Sequence, residues 1–169
     1  AALAALPVDV PRVQQELGLT ALDAPADRGF YERLSAWPTL TINGLHGGYG
    51  GPGSKTVLPH EAVVKCDIRL VEAQSVEEIL DKVAAHVRKH APGVEFVRQG
   101  GMAPSKTPLD SPYAGPVQRA VALGHDEAPL LVPAMGGSLP DYVWTKVLGV
   151  PAFVTPYANA DEANHAPNE

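Results

Sequence analysis

The sequence predicts an α/β fold: part of a ferredoxin-like α+β unit, with a helix packed on an antiparallel sheet, followed by a βαβ piece. Apolar and polar residues alternate along residues 39–44 and 61–71, as they do in half-buried strands. Apolar residues then recur at helical spacing from Val76 to Val87. Beyond residue 105, short apolar runs separated by a glycine turn and a helical stretch are typical of a βαβ unit.

Residues 1–37 predict short helices joined by connections at the surface. The segment from Val10 to Gly18 carries a proline suited to the first turn of a helix, and it ends at a glycine. Residues 29–34 predict a second short helix that ends before Trp37-Pro38, because the residue before a proline disfavours helical backbone. We interpret this segment as a helical connection.

Residues 38–104 predict the antiparallel sheet and its helix. The second strand places Val64, Cys66, Ile68 and Leu70 on one face and Lys65, Asp67 and Arg69 on the other. Ser75 and Glu78 have the spacing of a capping box, in which the two side chains cap the start of the helix. A third short strand is predicted at 94–97.

Residues 105–169 predict the βαβ piece. In chain order we expect a helix at 110–124, a buried strand at 130–132, a glycine turn at 136–138, a helix at 139–148 and a buried strand at 149–154. Binding sites form at the carboxyl ends of such strands. The glycine turn and the loop that carries His165 both lie at that edge.

The composition narrows the function. Because the chain has a net charge of −6 and no run of Lys or Arg, we do not expect it to bind nucleic acid. No apolar stretch approaches the roughly 20 residues that span a bilayer, so no membrane partner is expected. The single cysteine, Cys66, excludes an internal disulfide framework, fits a reducing compartment such as the cytoplasm, and is expected to be a small buried hydrophobe.

A small set of residues could carry chemistry, and each has a plainer interpretation. Arg69 can hold a carboxylate with two hydrogen bonds, or it can form a surface salt bridge. Thr56 can donate a hydroxyl to a ligand, or it can be a turn residue. Gly137 and Ser138 follow a strand and can offer backbone N–H groups to an anion, or form a tight turn with Ser138 as a helix N-cap.

His165 lies in a short polar segment between prolines and carboxylates, where an imidazole can be held rigidly as a metal ligand. No group of His, Asp and Glu upstream completes a metal site, and the sequence stops four residues later. We therefore expect the other ligands to lie outside this sequence.

Taken together, these segments resemble the zinc-dependent amidohydrolase superfamily of carboxypeptidase G, cytosolic and carnosine dipeptidases, acetylornithine deacetylase and succinyl-diaminopimelate desuccinylase. The matching segments are WPTLTINGL at 37–45, GGPGSKTVLP at 50–59, DIRLV at 67–71, GGSLP at 136–140 and NHAPNE at 164–169. They occur in the order of that superfamily, and the helical segment ahead of residue 39 most resembles the dipeptidase branch.

The resemblance implies an enzyme with a catalytic α/β domain interrupted by a lid that also forms a homodimer. Residues 38–104 correspond to most of the lid, and residues 105–169 to the end of the catalytic domain. His165 matches a ligand of a site with two zinc ions per subunit, which manganese or cobalt can replace. Thr56 and Arg69 match lid residues that hold the substrate carboxylate, and Gly137 and Ser138 match a loop that contacts it.

The sequence lacks the part of the superfamily pattern that holds the remaining metal ligands, the general base and an oxyanion-stabilising histidine. We therefore predict a fragment of a di-zinc metallopeptidase that cleaves dipeptides or related amides with a free carboxylate, inactive as an isolated chain. The alternatives are an N-acyl amino acid deacylase, a non-catalytic dimerisation module, and a nicked polypeptide that has lost its N-terminal half.

Overall fold

The computed structural model describes residues 2–22, 29–157, 165 and 167. Its elements, in chain order, are a 3-10 helix at Leu3–Ala5, α1 at Val10–Glu16, α2 at Phe30–Ala36, β1 at Thr39–Gly47, β2 at Ala62–Arg69, α3 at Val76–His90, α4 at Ala114–His125 and a π-helical segment at Val143–Val147. Helices combine with a two-stranded antiparallel sheet, so the predicted α/β class with antiparallel pairing is confirmed.

The predicted N-terminal helices form. The Asp9 carboxylate caps α1 by accepting a hydrogen bond from the backbone N–H of Arg12, at 3.1 Å. One turn along the helix, Arg12 Nε donates to Glu16 at 2.7 Å, and this hydrogen bond raises the pKa of Arg12. The chain leaves α1 through Gly18, whose φ of 65° is costly for residues with a side chain.

β1 and β2 pair so that the sheet has one apolar and one polar face. On the apolar face, the pairs are Leu40 with Ile68, Ile42 with Cys66, and Leu45 with Val64. The register shifts between Ile42 and Gly44, which leaves one extra residue in β1. This bulge matters because simple alternation would place Leu45 on the polar face, whereas the extra residue returns it to the apolar one.

Helix α3 forms where its apolar stripe predicts it, but its start differs from the prediction. Ser75 is the N-cap residue, yet its side chain makes no capping hydrogen bond, so the predicted capping box is wrong. The helix end is exposed, so water can satisfy its N–H groups. The acidic Glu77 and Glu78 in the first turn complement the helix dipole.

The third predicted strand, at 94–97, does not form, and residues 95–108 have no regular secondary structure. Ionic contacts hold this segment beside α3 instead. Arg98 lies 3.5 Å from a carboxylate oxygen of Glu77 and also pairs with Asp81. The described segment therefore contacts α3 through side chains and forms no backbone ladder with the sheet.

The C-terminal prediction is confirmed for its first helix only. α4 starts at Ala114 rather than at 110, because residues 112–113 form a turn ahead of it. The predicted strands at 130–132 and 149–154 have no ladder partner among the described residues, and the helix predicted at 139–148 is reduced to the π-helical segment. A parallel strand forms only beside a neighbouring strand, and the described residues supply none here.

Little of the described chain is buried. The solvent-accessible area is 13569 Å², whereas a folded monomer of this mass exposes about 8000 Å². Leu6, Ala84 and Ala114 are the buried apolar residues of the part described. The apolar residues of β2 and most of the apolar stripe of α3 line one open cavity of about 2340 Å³. Such a surface is typical of one that further polypeptide covers.

Candidate functional site

The centre of the candidate site is a contact between Arg69 and Ser138. Arg69 is the last residue of β2, on the polar face of the sheet, and its Nη1 donates a hydrogen bond to Ser138 Oγ. The two residues are 69 positions apart in the chain. The fold therefore brings together side chains that the sequence predicts in separate domains.

Asp67 contributes a carboxylate to this site. Its Oδ2 lies 2.8 Å from Arg69 Nε, and the two side chains are 46% and 51% exposed. Alternation along β2 places Asp67 and Arg69 on the same face of the strand, opposite Thr41 and Thr39 of β1. The guanidinium is thus contacted at two of its three nitrogens.

The glycine turn brings Ser138 to Arg69. A Cβ atom at Gly136 would lie 2.8 Å from the backbone oxygen of Leu34, so only glycine allows the turn to approach α2 this closely. Gly137 and Ser138 line the large cavity together with Asp67 and Arg69. The interpretation of Ser138 as a helix N-cap is wrong, because the following helical segment begins after Tyr142 and the Ser138 hydroxyl bonds Arg69 instead.

Thr56 and His165 are not part of this contact. Thr56 is exposed in the loop between β1 and β2 and does not line the cavity that contains Arg69. His165 is exposed in a turn, with a φ of 67°. Their predicted roles in carboxylate binding and metal binding stay predictions.

The described residues do not assemble a metal site by themselves. Within residues 2–22, 29–157, 165 and 167, no group of three or more His, Cys, Asp and Glu side chains could hold an ion. Catalytic zinc takes three protein ligands as a rule.

Sequence reasoning missed a polar strap at the predicted boundary between the two domains. The Thr107 hydroxyl donates to the backbone oxygen of Ala152 at 2.8 Å and accepts from its N–H at 2.9 Å. Ser105 bonds Thr145 at 2.7 Å, while Lys106 pairs with Glu72 at 2.9 Å. The three successive polar residues Ser105, Lys106 and Thr107 were the available signal.

The strap, residues 105–107, joins the sheet region (residues 38–104) to the C-terminal region (residues 105–157), because its side chains bond to each of them in turn. Ser105 and Thr107 bond the C-terminal residues, and Lys106 bonds Glu72, three positions after Arg69. The Arg69–Ser138 contact is thereby supported by a second connection between the same two regions.

Comparison with known proteins finds one matching protein family and several similar proteins. Residues 12–95 match the family described as the peptidase dimerisation domain. The Cys-Gly metallodipeptidase DUG1 of Candida albicans is 28% identical over 145 residues, which cover 79% of this chain and 29% of that protein. The human Beta-Ala-His dipeptidase is 37% identical over 54 residues, 32% of this chain and 11% of that protein.

Solved structures share the fold. The M20 family metallo-carboxypeptidase Sso-CP2 from Sulfolobus solfataricus superposes with a TM-score of 0.79 and 26% identity, over 88% of this chain and 34% of that one. The dipeptidase Dug1p from Saccharomyces cerevisiae gives 0.78 with 19% identity, over 99% and 36%. The chain thus spans about a third of the length of these structures. Among the described residues, no helix has the length and apolarity to cross a bilayer.

Proposed function

Because this chain belongs to the superfamily of M20 peptidases, whose dimerisation domain it carries at residues 12–95, we propose that it is part of a metallopeptidase that hydrolyses dipeptides or related amides with a free carboxylate. The relatives that carry the words metallodipeptidase and dipeptidase in their names support a peptidase of this substrate class. The substrates of the whole enzyme are part of the proposal.

The observation that carries the proposal is the hydrogen bond between Arg69 and Ser138, both of which line the cavity. A guanidinium matches a carboxylate with two parallel hydrogen bonds, and a serine hydroxyl beside it can donate a third. In the proposed site, the substrate carboxylate binds these groups and the backbone N–H groups of Gly137 and Ser138. Thr56 adds a further donor, across the dimer.

Capture of the carboxylate fixes the position of the amide bond relative to the reactive groups. Holding a substrate in reactive geometry removes part of the entropic barrier, so a carboxylate clamp accelerates the reaction without touching the bond that breaks. The contribution that we assign to this chain is therefore binding and orientation, and the general base lies elsewhere in the enzyme.

The proposed cofactor is zinc, two ions per subunit, with manganese or cobalt as substitutes and His165 as one ligand. When bound, the metal supplies an activated water and polarises the scissile carbonyl. We propose that the remaining ligands come from residues outside the described set. The fact that the M20 relatives are named metallopeptidases supports divalent metal use.

We further propose that the isolated chain is inactive and that the enzyme is a cytoplasmic homodimer joined through the sheet of residues 38–104. Two observations support inactivity. The solvent-accessible area of 13569 Å² is larger than that of a folded monomer of this mass, and the described residues contain no group of three metal-ligating side chains. The support for dimerisation is the match to a dimerisation domain. The single cysteine supports a reducing compartment.

Two other functions share these features. An N-acyl amino acid deacylase would use the same carboxylate clamp on a different acyl group. A non-catalytic dimerisation module is favoured by the open edges of the two-stranded sheet, since unpaired strand edges readily pair with another copy.

The test is steady-state hydrolysis by the complete enzyme that contains this chain, with zinc, for Cys-Gly, β-Ala-His and an N-acetyl amino acid. We expect dipeptide turnover, and we expect Arg69→Ala to lower kcat/KM by about 100-fold or more through loss of the bidentate contact. Preferential turnover of the N-acetyl amino acid would favour the deacylase. An unchanged kcat/KM in Arg69→Ala would remove Arg69 from the site.

A further inference from the structure

We propose that Asp67 is a positioning residue that holds the guanidinium of Arg69 in the orientation needed to bind the substrate carboxylate. The inference rests on the proposed function of Arg69 and names the residue that prepares it. Asp67 Oδ2 lies 2.8 Å from Arg69 Nε, the nitrogen of the guanidinium nearest the side-chain stem. Arg69 Nη1 meanwhile donates to Ser138 Oγ.

The contacts with Asp67 and Ser138 together fix the orientation of the planar guanidinium of Arg69. The carboxylate lies at Nε, the inner nitrogen, and the serine lies at Nη1, an outer one. With these contacts made, the remaining N–H bonds of the outer nitrogens can meet a carboxylate in the cavity that Asp67, Arg69 and Ser138 line together. Without Asp67, the long side chain keeps only its contact with Ser138.

The strand geometry explains why this aspartate can act on this arginine. Asp67 and Arg69 are two positions apart on β2, so their side chains leave the same face of the strand. Their partners across the sheet, Thr41 and Thr39, have short side chains. No bulky side chain on the paired strand separates the carboxylate from the guanidinium.

Removal of the Asp67 charge distinguishes a positioning role from a purely electrostatic one, because the two roles predict opposite changes in substrate affinity. If Asp67 only neutralised Arg69, then Asp67→Asn would leave a stronger positive charge and bind the substrate carboxylate more tightly. If Asp67 positions Arg69, the same change replaces a charge-assisted hydrogen bond at Nε by a weaker neutral one, so the long side chain is less well ordered before the substrate arrives and substrate binding weakens.

Both side chains are about half exposed, so the pair contributes little to folding stability and the Asn variant should fold. The experiment is steady-state hydrolysis of Cys-Gly by the complete metal-loaded enzyme. We expect Asp67→Asn to raise KM by roughly 5- to 10-fold, the cost of ordering one long side chain. We expect kcat to change by less than about twofold, since the lost contact acts equally on substrate and transition state.

Three companion variants identify the cause. Arg69→Ala must lower kcat/KM strongly, and Asp67→Asn must add nothing further in that background, because Asp67 acts through Arg69. Asp81→Asn is the matched control: it removes the carboxylate of Asp81, on α3, from the exposed ion pair with Arg98, and neither residue lines the cavity. This control should leave both constants unchanged.

The outcomes are distinct. A lowered or unchanged KM in Asp67→Asn, together with a strong effect of Arg69→Ala, overturns the positioning role and leaves the proposed function standing. No effect of Arg69→Ala overturns both. If Asp67→Asn fails to fold, Asp67→Glu carries the test: it keeps the charge but moves the carboxylate by one methylene, so a raised KM supports positioning and a wild-type KM overturns it.

Discussion

Two regions of this chain meet at Arg69 and Ser138, and they differ in how much of their predicted structure forms. The sheet region, residues 38–104, contains two paired strands and a helix of the predicted kind. The C-terminal region, residues 105–157, contains α4 and a π-helical segment, but its two predicted strands have no partners among the described residues. Both regions carry comparable apolar runs in the sequence.

The difference shows where each kind of strand finds its partner. An antiparallel strand can pair with the next strand along the chain, so β1 and β2 supply each other's hydrogen bonds. A parallel strand needs neighbours brought in by crossover connections, and it is buried on both faces. The sheet region therefore forms one ladder from its own two strands, whereas the C-terminal region forms no ladder among the described residues.

The largest expected effect concerns amide hydrogen exchange at 130–132 and 149–154. Incorporation of the chain into the complete enzyme should slow exchange at these amides by about 100-fold or more, since a new ladder adds several kcal/mol to local opening. Amides of β2 bonded to β1 should change less. Hydrogen exchange with mass spectrometry on the isolated chain and on the enzyme measures both. Equal slowing in the two regions would contradict the comparison.

The next effect is at the glycine turn that ties the C-terminal region to α2. Gly136→Ala places a Cβ 2.8 Å from the Leu34 backbone oxygen, so the turn must shift away. We expect a loss of about 1–3 kcal/mol in the free energy of unfolding, typical of overpacking. Urea unfolding with a constant m-value measures it.

Gly124→Ala is the control for this change. Gly124 lies within α4, and a Cβ there would have no neighbour within 4 Å. Alanine favours a helix interior over glycine, so this variant should gain up to about 1 kcal/mol. Destabilisation of similar size at both positions would assign the Gly136 effect to backbone flexibility rather than to the contact with Leu34.

The sequence predicted what depends on local pattern. Alternation predicted the paired strands and the polar face that carries Arg69, and helical spacing predicted α3. Neither periodicity nor spacing predicted the ion pair of Asp67 or the approach of Ser138, because these depend on how two distant segments fold back on one another. The superfamily resemblance predicted Arg69 and Ser138 as ligand contacts, and the structure adds that they touch.

The smallest expected effect tests the strap between the regions. Thr107→Val keeps the shape of the side chain but removes the hydroxyl that bonds both backbone groups of Ala152. These contacts are partly buried, so two backbone groups lose a partner and we expect a loss of about 1–2 kcal/mol. Thr56→Val, in the exposed loop, should change stability by less than about 0.5 kcal/mol.

The strap prediction also discriminates between the regions, because Thr107 bonds the segment at 149–154 that has no ladder. If the side chain substitutes for a missing strand neighbour, Thr107→Val should speed exchange of the Ala152 amide in the isolated chain and matter less in the complete enzyme, where a ladder is available. An equal effect in both would mean that Thr107 is a permanent part of the C-terminal region. The Ala152 N–H then bonds a side chain rather than a strand even in the assembled fold.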